Sequence, residues 1–223
     1  MFTAIIQVRL SSKRLKNKAM IEINKNPIIY YVRKRVENSK NIKRIIIACS
    51  DEEKDDPIYN YCISKNYLVE RGNLHNVVDR YLKIIKKFNL SSFVRITGDS
   101  PCIDPKLIDK AIKLYINNQC DLLTNVFPRS YPKGVSVEVV NAKTFQILRN
   151  KRISKFNKEH ITSYFYENSK KFRILNFKSL TNQRHKSLAL DTKKDLYKLN
   201  PIIKEKNFIN QSWRTLLKKK YKL

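Results

Sequence analysis

Twelve residues, Gln7–Val8–Arg9–Leu10–Ser11–Ser12–Lys13–Arg14–Leu15–Lys16–Asn17–Lys18, carry five cations and two hydroxyls but no acid. They follow an apolar run, Phe2 to Ile6, that reads as a buried strand. Arginine forks bind phosphate oxygens in pairs, lysine adds a compact charge, and hydroxyls and backbone N–H groups fill the gaps. Ligands of α/β sheets bind outside the carboxyl ends of the strands, so this loop is placed to hold a triphosphate. The competing reading is a solvated basic loop, which costs little in so lysine-rich a chain.

Two acids would complete that chemistry. Phe93–Val94–Arg95–Ile96 leads to Gly98–Asp99, and Leu188–Ala189–Leu190 leads to Asp191–Thr192. Mg²⁺ takes one or two carboxylates plus substrate phosphates and keeps several waters. A glycine before Asp99 would let a nucleotide approach closely. Each acid also has a local use, Asp99 in the turn before Pro101 and Asp191 as a helix cap. Together with the cationic loop they make a stronger case than apart, because a triphosphate needs cations and metal at once.

Other candidates are weaker. Asn76–Val77–Val78–Asp79–Arg80–Tyr81 puts an acid and an arginine on a helix, by default a surface charge pair. The segment from Arg129 through Lys133 and Gly134 to Glu138 reads as a turn into a strand, and could line an acceptor pocket. Glu159–His160 stands near a helix start, where a lone histidine is more often structural than catalytic.

These side chains need a scaffold, and its first half is regular. Thr3–Val8, Arg44–Ala48, Tyr67–Glu70 and Ser92–Ile96 read as strands. Pro27–Asn38, Asp55–Asn66, Leu74–Phe88 and Pro105–Ile116 read as helices, with Pro27 suited to a first turn and Asp104 to an N-cap. This alternation predicts a mostly parallel sheet with helices on both faces. The second half is less regular. Strands are expected at Asp121–Asn125, Val135–Val140, Arg173–Phe177 and Ser187–Leu190, and helices at Ala142–Asn150, Lys155–Tyr166 and from Asp195 onward. No repeat or Gly/Ser linker interrupts the chain. The expectation is one domain over 1–223, with a basic extension over about 201–223.

Composition narrows the function classes. The chain has 223 residues, 42% of them hydrophobic, enough for a real core. No apolar run nears the roughly 20 residues of a membrane helix. The opening residues lack a secretory pattern, so the protein reads as cytoplasmic. Cys49, Cys62, Cys102 and Cys120 are scattered and histidines number three, which favours free thiols over a zinc site. A net charge of +28 makes nucleic-acid binding an alternative function. Yet the lysines spread along the whole chain, and no zinc-finger spacing or aromatic–basic RNA-binding signature is present. No specific nucleic-acid partner is expected, and Arg149–Lys158 and Lys218–Lys222 read as solvated faces or frayed ends.

Taken in order, these motifs resemble the sugar cytidylyltransferases, most closely the branch of spore coat polysaccharide biosynthesis protein F, with likeness to the acylneuraminate and KDO enzymes. The family's opening Q-x-R-x-x-S-x-R-L-P-G-K stands here as Gln7, Arg9, Ser12, Arg14, Leu15 and Lys18, with Lys16 and Asn17 replacing its Pro and Gly. Asp55–Asp56–Pro57 resembles its acidic turn, and Val77–Val78–Asp79–Arg80–Tyr81 its V-x-D-R-Y stretch. Arg95–Ile96–Thr97–Gly98–Asp99–Ser100–Pro101 is similar to R-x-T-G-D-x-P, Glu159–His160–Ile161–Thr162 to E-H-x-T, and Asp191–Thr192 with Asp195 to D-T-x-x-D. The resemblance covers about residues 3 to 199. It implies an α/β/α three-layer sandwich with a mixed central sheet, the GT-A-like nucleotide-diphospho-sugar transferase fold. The implied reaction is transfer of CMP from CTP to a sugar hydroxyl, with pyrophosphate leaving, in surface-glycan synthesis. Mg²⁺ would be held by Asp99 and Asp191, and Arg14 and Lys18 would neutralise the β- and γ-phosphates. Gln7, Arg9, Ser11, Ser12, Arg80, Arg95 and Gly98 would serve the nucleotide, and Lys133, Glu138 and His160 the sugar acceptor. A homodimer follows family habit. A member that binds nucleotide without catalysis is a further alternative, against which the two retained aspartates argue.

Overall fold

The computed structural model describes residues 2–12 and 14–222. In chain order its elements are β1 (Phe2–Gln7), β2 (Glu22–Ile23), β3 (Asn26–Pro27), α1 (Ile28–Glu37), β4 (Ile42–Ser50), α2 (Asp56–Ser64), β5 (Val69–Gly72), α3 (Val77–Lys87), β6 (Ser92–Thr97) and α4 (Pro105–Asn118). There follow β7 (Leu122–Thr124), β8 (Glu138–Asn141), α5 (Ala142–Gln146), α6 (Lys155–Glu159), α7 (Ser163–Glu167), β9 (Ile174–Asn176), α8 (Lys193–Ile203) and α9 (Trp213–Tyr221).

One sheet runs β5-β4-β1-β6-β8-β7-β9. Its pairings are parallel except at β8, which is antiparallel to both β6 and β7. The strands are apolar because they are covered on both faces. Along β1 the side chains alternate: Ala4 and Ile6 enter one core cluster, Ile5 the other. The first cluster packs α1, α2, α4, α8 and α9 on one face, and the second packs α3, α5 and α7 on the other. This is the expected three-layer sandwich with a mixed sheet. All four cysteines are buried free thiols. Among the described residues no helix is long and apolar enough to cross a membrane.

The second half departs from the sequence expectations in four places, each for a local reason. Lys155–Tyr166 is not one helix but two, α6 and α7, broken around His160. The Ser163 hydroxyl bonds both Asn157 and the His160 carbonyl, offering the backbone an alternative to continuing the helix. Val135–Val137 precedes β8 instead of belonging to it. The Asn125 amide takes the place of a neighbouring strand there, donating to Val135 O and accepting from Val137 N, both at 2.9 Å. Ser187–Leu190 forms no strand. It meets Lys133 through one bridge, and Gly134 beside it turns at φ 88°, so no ladder extends. Finally, residues 201–222 are built into the fold: Trp213, Leu216 and Leu217 lie in the core, and Lys220, expected to be solvated, is buried.

Candidate active site

The site begins where β1 and β6 end. These neighbours are parallel with Gln7 opposite Thr97, so the loops that follow leave side by side. Gly98 N donates to Gln7 O at 2.8 Å. A Cβ at Gly98 would lie 2.8 Å from Val8 Cβ, so the missing side chain makes room for Val8. In the loop after β1, Asn17 takes the left-handed conformation, φ 54°, that asparagine tolerates. Lys18 then opens a short 3₁₀ turn that ends at Met20.

Three segments far apart in the chain meet here. Lys18 Nζ lies 2.9 Å from Asp99 Oδ2 and 3.3 Å from Asp191 Oδ1. The Arg14 guanidinium reaches the other Asp191 oxygen at 2.5 Å. Burial pulls the Asp99 carboxyl upward, yet the Lys18 charge and its hydrogen bond outweigh that and hold it below the ordinary carboxylate value. Asp191 arrives because Leu190 N donates to Asp99 O at 2.9 Å. The approach needs Gly134, whose Cβ would sit 2.3 Å from Ala189 N. Beyond it, Thr192 and Asp195 form a capping box at the start of α8.

Asp55 anchors the cationic loop. It is buried, and accepts from Leu10 N at 2.7 Å, Ser50 N at 2.9 Å and Ser50 Oγ at 2.5 Å, tying the loop to the end of β4. The sequence placed Asp55 in an acidic turn without a role, and nothing in it sets Asp55 apart from Asp51, Glu52 and Glu53 of the same stretch; the donors that a buried carboxylate requires come from the fold. Ser11 is exposed and Ser12 half-buried on the same loop. Arg9 pairs with Glu159 of α6. Lys13 lies outside the described residues.

Beside the charged cluster is a cleft of about 240 Å³, lined by Arg95, Arg129, Glu138, His160 and Tyr166 among others. Arg95 and Glu138 are directly opposite in the β6–β8 register and form an ion pair. Gln7 Oε1 accepts from Arg95 at 3.2 and 3.3 Å, and the Tyr166 hydroxyl bonds Glu138. His160 packs on the Phe156 ring, 4.5 Å between centroids; desolvation, with Arg95 and Arg9 nearby, lowers its pKa. Arg129 comes from the turn expected to line an acceptor pocket, whereas Tyr166 was not assigned to this wall from the sequence; the break between α6 and α7, which brings Tyr166 here, left no periodic signal.

Two expected residues stand elsewhere. Arg80 is 2% exposed, with its guanidinium bonded to Ala48 O at 3.2 Å and Asn73 O at 2.8 Å. It braces the loop after β5 and presents no fork to a nucleotide. Lys133 is exposed and absent from the cleft lining; its backbone pairs with Lys186 and Leu188.

Comparison with known proteins agrees with this architecture. The family model described as Cytidylyltransferase matches residues 3–218. Spore coat polysaccharide biosynthesis protein SpsF of Bacillus subtilis (strain 168) is 31% identical over 198 residues, 86% of this chain and 81% of the relative. The 3-deoxy-manno-octulosonate cytidylyltransferase of Geotalea uraniireducens (strain Rf4) is 29% identical over 112 residues, 50% of this chain and 43% of that protein. The structure of a cytidylyltransferase from Leptospira borgpetersenii serovar Hardjo-bovis (strain JB197) matches with a TM-score of 0.92 at 28% identity, covering 100% of this chain and 94% of that one. With the family matched over nearly its whole length, and the sheet order and charged cluster in place, the chain belongs to the cytidylyltransferase family.

Proposed function

We propose that this protein transfers CMP from CTP to a sugar hydroxyl, releasing pyrophosphate, in the synthesis of a surface polysaccharide. The observation that carries this reading is the meeting of Lys18 and Arg14 with Asp99 and Asp191 at the strand ends. The cytidylyl donor is supported by the family, and a sugar acceptor by the names of the Bacillus and Geotalea relatives. In the transfer the acceptor oxygen bonds to the α-phosphorus while the bond from that phosphorus to the β-bridging oxygen breaks. Negative charge grows on the leaving pyrophosphate, where Lys18 and Arg14 would meet it. Arg9, Ser11 and Ser12 would hold the phosphates in line, and positioning and electrostatics supply most of the catalysis. Arg95, Glu138 and His160 would form the acceptor's side of the site.

The donor set suits Mg²⁺. Asp99 and Asp191 are hard carboxylates that already share one cation, Lys18. Among the described residues no group of three or more His, Cys, Asp or Glu forms a metal cluster, so triphosphate oxygens and water would complete the coordination. Bound there, the ion would neutralise phosphate charge and polarise the phosphoryl oxygen.

Incubation with each nucleoside triphosphate, Mg²⁺ and a panel of acidic, amino and neutral sugars, followed by a pyrophosphate assay, tests the reading. The expected result is release with CTP and one acceptor class, abolished by chelation of the metal. Tight CTP binding without release for any sugar would overturn transfer in favour of a non-catalytic nucleotide binder.

A further inference from the structure

We propose that Lys220 and Tyr221, in the last turn of α9, are positioning residues for the Asp191 carboxylate. Both follow the last residue matched by the family model, in a stretch whose composition suggests only a basic tail. The inference rests on the reading of Asp191 as an ion ligand in nucleotidyl transfer.

The segment that delivers Asp191 is held at both ends by adjacent residues of α9. At its start, Ser187 N donates to the Tyr221 hydroxyl at 2.9 Å. At its end, Lys220 Nζ donates to Asp195 Oδ1 at 2.7 Å. The second oxygen of Asp195 accepts from Thr192 N at 3.0 Å, Thr192 Oγ1 at 2.8 Å and Asp191 N at 3.3 Å. A chain of contacts therefore runs from the ammonium of Lys220 through one carboxylate to the backbone of Asp191, and on to Lys18 and Arg14.

The Lys220 side chain is 2% exposed, and burying an ammonium is costly unless a partner holds its charge. Stability alone is a poor reason for it, since an apolar side chain fills such a place as well or better. What the charge adds is direction. It fixes one oxygen of Asp195, so that the other faces the N–H groups of Asp191 and Thr192. The far end of α9 is fixed in turn, because Trp213 N donates to Asp104 Oδ2 at 2.8 Å and the Trp213 ring packs on Tyr131.

The test compares the full-length protein with Lys220→Met, Lys220→Arg and Tyr221→Phe. Amide hydrogen exchange is read on the free protein, and Mn²⁺ affinity in the presence of CTP by electron paramagnetic resonance. In Lys220→Met the amides of Asp191 and Thr192 should exchange roughly tenfold faster while β1 amides are unchanged. Mn²⁺ affinity should fall about 10- to 100-fold, the usual effect of removing an outer-shell partner. Lys220→Arg keeps the donor and should restore part of both, and Tyr221→Phe should show a smaller change of the same sign without threatening the fold. Unchanged exchange at Asp191 in both Lys220→Met and Tyr221→Phe overturns the proposal. Faster exchange with wild-type Mn²⁺ affinity also overturns it, because α9 would then hold the backbone but not the ligand. A wild-type protein inert toward every triphosphate would sink the proposed reaction instead, and the exchange comparison would still decide whether α9 holds Asp191.

Discussion

The half of the sheet made of β5, β4, β1 and β6 and the half made of β8, β7 and β9 are held by different means. In the first, strands of up to nine residues pair in parallel register, and apolar side chains cover both faces. In the second, strands have three or four residues, and side chains clasp the connecting loops. Asn125 bridges Val135 and Val137, Ser130 Oγ accepts from Ser179 N at 2.8 Å, and Asp121 accepts from Arg173 N at 2.9 Å. The first half presents Lys18 and Asp99 from the ends of rigid strands. The second presents Asp191, Glu138 and His160 from segments whose shape depends on particular hydrogen bonds. Chemistry and stability should therefore separate in the first half and fall together in the second.

The largest expected effect tests the first half. Asp99→Ala should cut turnover by about a thousandfold or more, since a metal ligand contributes several kcal/mol of charge stabilisation. Thermal melting should change little, because the carboxylate is partly exposed. Retained turnover, or a collapse of the melting transition, would break the contrast. Next comes the clasp that ties α1 of the first half to the segment between α8 and α9. The buried Arg35 guanidinium donates to the carbonyls of Ile103, Phe208, Ile209 and Gln211 at 2.6 to 3.0 Å. Arg35→Met strands those carbonyls, and urea unfolding should show a loss of about 3 kcal/mol. A loss well under that would mean water or repacking takes the donor's place. Gly134→Ala should cost about 2 kcal/mol from the strained φ and the clash with Ala189. It should also lower kcat, because the displaced segment carries Asp191; a stability loss with unchanged kcat would contradict the coupling. The smallest effect is Arg14→Ala. Its side chain is 70% exposed, so its charge-assisted contact is discounted to about 1 kcal/mol, roughly a fivefold rise in the CTP Kd by titration calorimetry. An unchanged Kd would remove Arg14 from the phosphate site.

The same division explains what could be read from the chain. Runs such as Ile45–Ile46–Ile47 and the spacing of Val77, Val78, Tyr81, Leu82 and Ile85 are local signals, and β4 and α3 followed from them. The strand-end place of Asp99 was legible too, because it follows the apolar run of β6 closely, whereas Lys18 reaches it from the far end of the loop after β1. Ser187–Leu190 misled because its apolar alternation is genuine, Leu188 and Leu190 being buried, but its partner is a turn at Gly134 and not a strand. Arg80 misled because a helical arginine beside an acid looks exposed; its burial depends on Gly72, where a Cβ would lie 3.2 Å from the Arg80 side chain, and on carbonyls in β4 and the loop after β5. Asp55 and Lys220 gained their roles from partners 45 and 25 residues away, which charge type alone cannot reveal.

Lys18 has one more consequence. Two carboxylates at hydrogen-bond range of one atom would repel each other, and its ammonium, together with the Arg14 guanidinium on Asp191, balances their charge in the free protein. Any divalent ion entering between Asp99 and Asp191 must evict that ammonium, leaving it unmatched beside Arg14 and in search of an anion. A polyphosphate answers that need, so each guest raises the other's affinity by an identical factor, as reciprocity requires. Titrating either guest with and without the other measures the factor, and a ratio of unity would mean that the lysine never changes hands.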